Sequence, residues 1–388
     1  MKKKGLNKAY LLVCIFYAVY YITLGVFYPY ANLYYERLGF SGSQIGLMTS
    51  LGMIAAMLIT PLWGILSDKF KNPRAVIAFL LAMAGVSSLI WSMQKAFVPV
   101  LILSVIFAVF RQNTSSLIDA FGVQVCDEQN KDFGFARSMG SLGYLLGSFV
   151  IANLLFAFGC SGPYMQVYVF CSFVGSVMIL FIPHRHQLES SKSNEKLYVH
   201  LVELLKNRDY LFILMMMLLT IMVMDTVMNY AGNHLIYTLH QSDSMIGIAS
   251  FAQVFPEILI LMVANRIFSK MKTSQIFMVG ALAQIVRFTL CASSSSIVVF
   301  LAATALNGVS IAVCSVAYVS YIHQKVNPNV LNSAMAIYAT VYTIGSAIIN
   351  QVFGFVYQYG TSYHLFWISA FTAVIAFVLV LLNRRLDQ

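Results

Sequence analysis

The feature that most constrains this 388-residue chain is a succession of long apolar runs joined by short polar connections. A helix needs roughly 20 apolar residues, at 1.5 Å rise each, to cross about 30 Å of hydrocarbon, and inside lipid its backbone polar groups must be satisfied within the segment. Twelve such runs are read, at approximately 9–35, 43–67, 74–94, 97–122, 134–159, 163–183, 209–238, 243–268, 273–293, 296–322, 330–358 and 362–383. The expectation is an all-α membrane protein with twelve transmembrane helices. Composition points the same way: 60% of residues are hydrophobic and 10% charged, where soluble chains carry about a quarter charged residues.

The net charge of +10 is distributed by topology. With the amino terminus inside, 20 of the 24 Lys and Arg fall on the cytoplasmic side. They lie in Lys2 to Lys8, the 67–74 and 126–137 loops, the 184–208 stretch, the 265–272 loop, Lys325 and the Arg384–Arg385 tail. Arg37 and Lys95 fall outside, and Arg111 and Arg287 lie inside spans. This positive-inside bias predicts a multi-pass protein of the cell membrane with both termini in the cytoplasm, and no nucleic-acid partner. The six cysteines (14, 126, 160, 171, 291, 314) show no metal or redox spacing and read as small apolar packing residues. No cleavable signal is expected, because no small-residue cleavage site follows the first run.

His184 to Asp209 is the longest polar stretch. It predicts an amino-terminal six-helix half over 1–183, a cytoplasmic linker over 184–208 and a carboxy-terminal half over 209–388. Leu197, Leu201, Leu204 and Leu205 fall on one face of a short amphipathic helix over 196–207, suited to the membrane surface. Residues 64–74 read Gly-Ile-Leu-Ser-Asp-Lys-Phe-Lys-Asn-Pro-Arg. Here a tight charged turn joins two spans, and Gly64 sits one helical turn before Asp68, where small size permits close helix approach. A weaker copy, Ala264 to Lys272, follows the eighth span, keeping the basic residues but not the acid.

The 64–74 segment resembles the loop between helices 2 and 3 of major facilitator superfamily transporters, Gly-x-x-x-Asp-Arg/Lys-x-Gly-Arg-Arg, with Lys71 replacing the second Gly and Asn72–Pro73 delaying Arg74. The resemblance implies two pseudo-symmetric six-helix halves and a solute site near mid-membrane. It also implies a gating role for Gly64, Asp68, Lys69 and Arg74.

A charge in a membrane helix costs roughly 2.5–3.5 kcal/mol at the centre on translocon scales, and its default reading is functional. Five stand out: Arg111 and Asp119 on the fourth span, Asp225 on the seventh, Glu257 on the eighth and Arg287 on the ninth. Arg137 lies near the start of the fifth. That span opens Phe133-Gly134-Phe135-Ala136-Arg137-Ser138-Met139-Gly140-Ser141-Leu142-Gly143-Tyr144. This is similar to the lactose permease group of the superfamily and its phenylpropionate-transporting relatives. In that group the Arg binds solute, an aromatic seven residues later stacks on it, and an acid 18 residues before the Arg shares it; these positions are Arg137, Tyr144 and Asp119 here.

The first span, Tyr20 to Pro29, resembles the same group, as do Pro61 to Lys69, the Asp225–Asn233 spacing and Arg287. The resemblance implies substrate contacts at Asp119, Arg137, Tyr144, Tyr20 and Asn307. The group's titrating His and Glu, 20 and 23 residues after the ninth-span Arg, fall on Asn307 and Ser310, and its eleventh-span Lys falls on Ser346. A coupled proton is therefore expected on one of Asp119, Asp225 and Glu257, with Glu257 favoured because the helix count places it facing Arg287. Tyr230 and Tyr338 are further stacking candidates, and His234 is read as lining the entry.

No Ser/His/Asp set, metal-ligand spacing or phosphate-binding Gly loop is present, so no enzyme activity, metal or cofactor is expected. The expected function is transport of a small organic solute (sugar, nucleoside or aromatic acid) by alternating access with proton symport, the alternative being a proton-coupled exporter of drugs or metabolites. The expected partners are solute, protons and lipid bilayer, with the chain a monomer.

Overall fold

The protein is seen in a computed structural model that describes residues 3–70, 72–151, 153, 164–183, 204, 206–268, 270–312, 318–327 and 330–383. These residues are helical throughout apart from short connections. The first span is α1 (Lys3–Phe27), a 3₁₀ turn (Tyr28–Tyr30) and α2 (Ala31–Arg37). Pro29, without an N–H, stands at the break. Then come α3 (Gly42–Phe70), α4 (Pro73–Ser92), α5 (Phe97–Glu128), α6 (Phe133–Leu145) and α7 (Tyr164–Leu180). The seventh span is α8 (Arg208–Met217), a π turn (Leu218–Met222), α9 (Val223–Asn229) and a second π turn (His234–Thr238). It is followed by α10 (Ser244–Phe268), α11 (Thr273–Ser293), α12 (Ile297–Ala305), α13 (Asn307–Ala312), α14 (Tyr318–Lys325), α15 (Leu331–Tyr359) and α16 (Ser362–Leu382).

Eight of the helices are long and apolar enough to cross a membrane, and Met165–Leu180, Ser244–Ile260 and Ile297–Ile311 are shorter apolar ones. The remaining span is α6 with the π turn Leu146–Ile151, its continuation lying outside the described residues. Large side chains turned outward, such as Leu58, Phe170, Phe181 and Phe371, form a surface that only lipid solvates. This is the all-α, twelve-helix architecture that the apolar runs predict.

The chain forms two compact units: Met1–Phe40 with Met48–Lys192, and Ser41–Leu47 with Ser193–Gln388. In the first, Phe16, Tyr17, Ile77, Leu81, Ile118, Phe121, Val125 and Ile179 build the core. In the second, Tyr210, Ile213, Met217, Phe277, Tyr318, Tyr321 and Val380 do so. The second unit includes the start of α3, where a Cβ on Gly42 would strike the Gly354 carbonyl and Ser43 N–H donates to Gln358 Oε1 at 3.1 Å.

Several local expectations change. Asp68 and Lys69 lie in the last turn of α3, which runs to Phe70, rather than in a loop. Asn72 then caps α4, accepting from Ala75 N–H at 3.3 Å. A Cβ on Gly64 would meet no described atom within 4 Å, so helix packing does not require a glycine there. The proposed amphipathic helix lies largely outside the described residues, but Leu204 is buried in the second unit's core, not spread on a membrane surface.

Candidate functional site

Three helices of the first unit bring the candidate solute residues together. Asp132 caps α6 by accepting from Gly134 and Phe135 N–H at 3.1 and 3.0 Å, which starts the helix at Phe133, four residues before Arg137. α6 then lies directly on α1. A Cβ on Gly140 would strike the Tyr21 ring, one on Gly143 the Ala18 carbonyl and one on Gly147 the Ile22 carbonyl, while from α1 a Cβ on Gly25 would strike the Tyr144 carbonyl. Small residues let backbones touch, as in close membrane helix pairs, and the seam fixes Arg137 against α1.

Arg137 Nε stands 3.5 Å from Asp119 Oδ1 on α5, the two side chains being 39% and 41% exposed. Tyr17 donates its hydroxyl to the same carboxylate oxygen at 2.9 Å. The Arg137 guanidinium carbon lies 4.4 Å from the Tyr21 ring centroid, and Tyr21 stacks on Tyr17 with centroids 6.3 Å apart. The site therefore offers a carboxylate, a guanidinium and an aromatic floor on one accessible face. It suits a solute with polar groups beside a flat ring or sugar face. Tyr17 and Tyr21 were not singled out in the sequence; their i, i+4 spacing facing a glycine stripe is the signal that marks them.

Tyr144 is half-buried. Tyr20 is not on this face: it is 2% exposed, and its hydroxyl bonds Ser115 Oγ at 2.5 Å.

The second unit holds a different kind of charge. Arg287 is completely buried. Its guanidinium donates to Asn307 Oδ1 and to Met228 Sδ and lies 5.0 Å from the Phe288 ring centroid. Asn307 is thus a buried ligand of Arg287, not an exposed solute contact. Asp225 receives the Tyr342 hydroxyl at 2.6 Å. Tyr342 lies on α15, one turn before Ser346. Among the described residues Glu257 is not a partner of Arg287; its backbone and that of Pro256 pack against Gly308. His234 does not line an entry. It is buried, bonded to Ser362 Oγ at 2.7 Å and boxed by Phe300, Tyr363 and Phe366.

Of the four gate candidates, the Asp68 side chain lies outside the described residues and Lys69 is exposed. Arg74 Nη1 donates to the Ile182 carbonyl at 3.0 Å, just past α7, where a cation complements the helix's carbonyl end.

Comparison with known proteins agrees with this architecture. The chain is 24% identical over 379 residues to the "Uncharacterized transporter YwbF" of Bacillus subtilis (strain 168), covering 96% of this chain and 93% of that one. It is 24% identical over 374 residues to the "Probable 3-phenylpropionic acid transporter" of Escherichia coli (strain K12), covering 94% and 95%. The solved nucleoside transporter NupG matches with a TM-score of 0.81 at 18% identity, over 96% of this chain and 98% of that one, a likeness of fold. The family model described as MFS_1 like family matches residues 10–368. The chain accordingly belongs to the MFS_1 like family, integral membrane transporters of the major facilitator fold and not enzymes.

Proposed function

We propose that this protein is a secondary active transporter of the cell membrane, with both termini cytoplasmic, that moves a small organic solute by alternating access coupled to proton symport. The solute is a sugar, a nucleoside or an aromatic acid. The observation that carries this reading is the half-exposed Asp119–Arg137 pair over the Tyr21 ring. An ion pair inside a membrane span that stays accessible is poised to exchange its internal contact for contacts with a solute.

Asp119, Arg137 and Tyr144 contact the solute on this reading, with Tyr17 and Tyr21 as orienting phenols. Tyr20 and Asn307 are buried and act by positioning Ser115 and Arg287. Proton coupling is assigned to the second unit's acids, Glu257 and Asp225, with Arg287 as the cation that Asp225 feels. Gly64, Asp68, Lys69 and Arg74 form the cytoplasmic gate, and 1–183 and 209–388 act as two halves joined by the 184–208 linker.

The test is uptake of labelled sugars, nucleosides and aromatic acids by proteoliposomes holding the purified chain. An inward proton gradient should accelerate uptake of one class severalfold, and that solute should drive proton entry read by an internal pH dye. Uptake indifferent to the gradient overturns proton coupling. Failure of every class to enter overturns the transport reading for these solutes.

A further inference from the structure

Arg111 occupies a place that the site above does not use. It lies in the middle of α5, 8% exposed, and its guanidinium carbon is 5.6, 4.7 and 5.6 Å from the ring centroids of Phe27, Tyr28 and Phe107. Its one hydrogen bond among the described residues goes from Nη1 to the Tyr28 hydroxyl. Its Nε is buried with no partner, and no described carboxylate pairs with it. Tyr20, Tyr35 and Tyr168, the other phenols nearby, are buried.

The charge balance is uneven. Arg137 is matched by Asp119, so Arg111 leaves the membrane interior of the first unit with one unmatched positive charge. Aromatic faces return about 2 kcal/mol to a desolvated cation, and a phenol hydroxyl is a weaker acceptor than a carboxylate. A guanidinium fork in this state is set up for a planar anion.

Access runs past Tyr28. In contrast to Phe27, Phe107 and Tyr168, Tyr28 is 40% exposed. It begins the 3₁₀ turn at which α1 ends, so the side chain covering Arg111 is anchored where the helix is interrupted.

We propose that Arg111, capped by Tyr28, is a carboxylate-binding subsite, and that the transported solute is an organic carboxylate whose anionic group displaces the Tyr28 hydroxyl. This rests on the transport reading above and narrows it to acids. The neutral part of the solute meets the exposed ring of Tyr28, behind which Phe27 and Phe107 pack on the guanidinium.

The probes are matched pairs of carboxylates and their uncharged amides, aliphatic and aromatic, beginning with 3-phenylpropionate and 3-phenylpropanamide, with uridine and maltose as neutral solutes. Binding to the purified full chain is read as a shift in thermal unfolding, and transport as counterflow in proteoliposomes. At least one carboxylate should bind while its amide binds about tenfold or more weakly, the loss typical of a charged hydrogen bond. Arg111→Gln should remove that preference with its ligand-free unfolding temperature little changed, and Arg111→Lys should keep part of it. Tyr28→Phe, which removes the competing hydroxyl, should bind the carboxylate at least as tightly as the parent. Should Arg111→Gln not fold, the acid-over-amide ratio of the parent and of Tyr28→Phe decides.

Equal binding of acid and amide, or a neutral solute held equally by the parent and Arg111→Gln, overturns the subsite and leaves the transport reading standing. A parent that binds and moves no member of the panel overturns both.

Discussion

The two units each place an Asp and an Arg inside the membrane and treat them in opposite ways. In the first, Arg137 and Asp119 meet directly, four-tenths exposed, with one phenol in support. In the second, Arg287 and Asp225 are each held by neutral groups, Arg287 by Asn307 and Met228 and Asp225 by Tyr342. The difference lies in access to water. A pair that water reaches gains little from its own contact and can give it up to a solute at low cost. A cation with no water must keep hydrogen-bond partners in whatever state the protein visits, because an unsatisfied buried charge is heavily penalised.

The sharpest way to break this contrast is Arg287→Ala. It leaves Asp225 without its nearby cation and Asn307 without its donor, and it should destabilise the protein by about 3–5 kcal/mol and abolish uptake. Chemical unfolding in detergent measures the first effect and proteoliposome uptake the second. A variant as stable as the parent would show that the second unit does not depend on its buried charge.

Next in size is Tyr342→Phe, which removes one hydrogen bond to a carboxylate and should cost about 1–3 kcal/mol. The same unfolding assay reads it, and no change would mean that the Tyr342–Asp225 contact is dispensable.

Smallest in stability, but complete in function, are Asp119→Ala and Arg137→Ala. Each should change stability by less than about 1 kcal/mol, as exposed pairs do, while uptake is lost. If either lowers stability as Arg287→Ala does, the exposed pair is a structural clamp and the contrast between the units disappears.

The fold was legible because hydrocarbon thickness sets helix length: α11 and α16, Thr273–Ser293 and Ser362–Leu382, fall within a residue of the apolar runs that predict them. The meeting of Asp119 and Arg137 was legible because a motif fixed one and a spacing fixed the other. Partners supplied by neutral residues were not. Tyr342 hides among 22 tyrosines, and nothing local marks it as the hydroxyl that Asp225 meets 117 residues away. Helix count also placed Glu257 opposite Arg287, whereas the bare backbone of Gly308 comes in against Pro256 and Glu257. The burial of Tyr20 and Asn307 was equally unreadable, since a polar residue in an apolar helix gives the same signal whether it faces a neighbour or a water-filled path.

The glycine seam between α1 and α6 has one further consequence. Helices whose backbones touch at Gly25, Gly143 and Gly147, with the Tyr21 ring seated against Gly140, have few side chains to slide over one another, which favours their moving as a single piece. On the proposed reading, Tyr17, Tyr21 and Arg137 are then a template that α1 and α6 carry together. If that template meets the solute as proposed, cargo preference is open to redesign by exchanging residues on it without disturbing the seam that holds it.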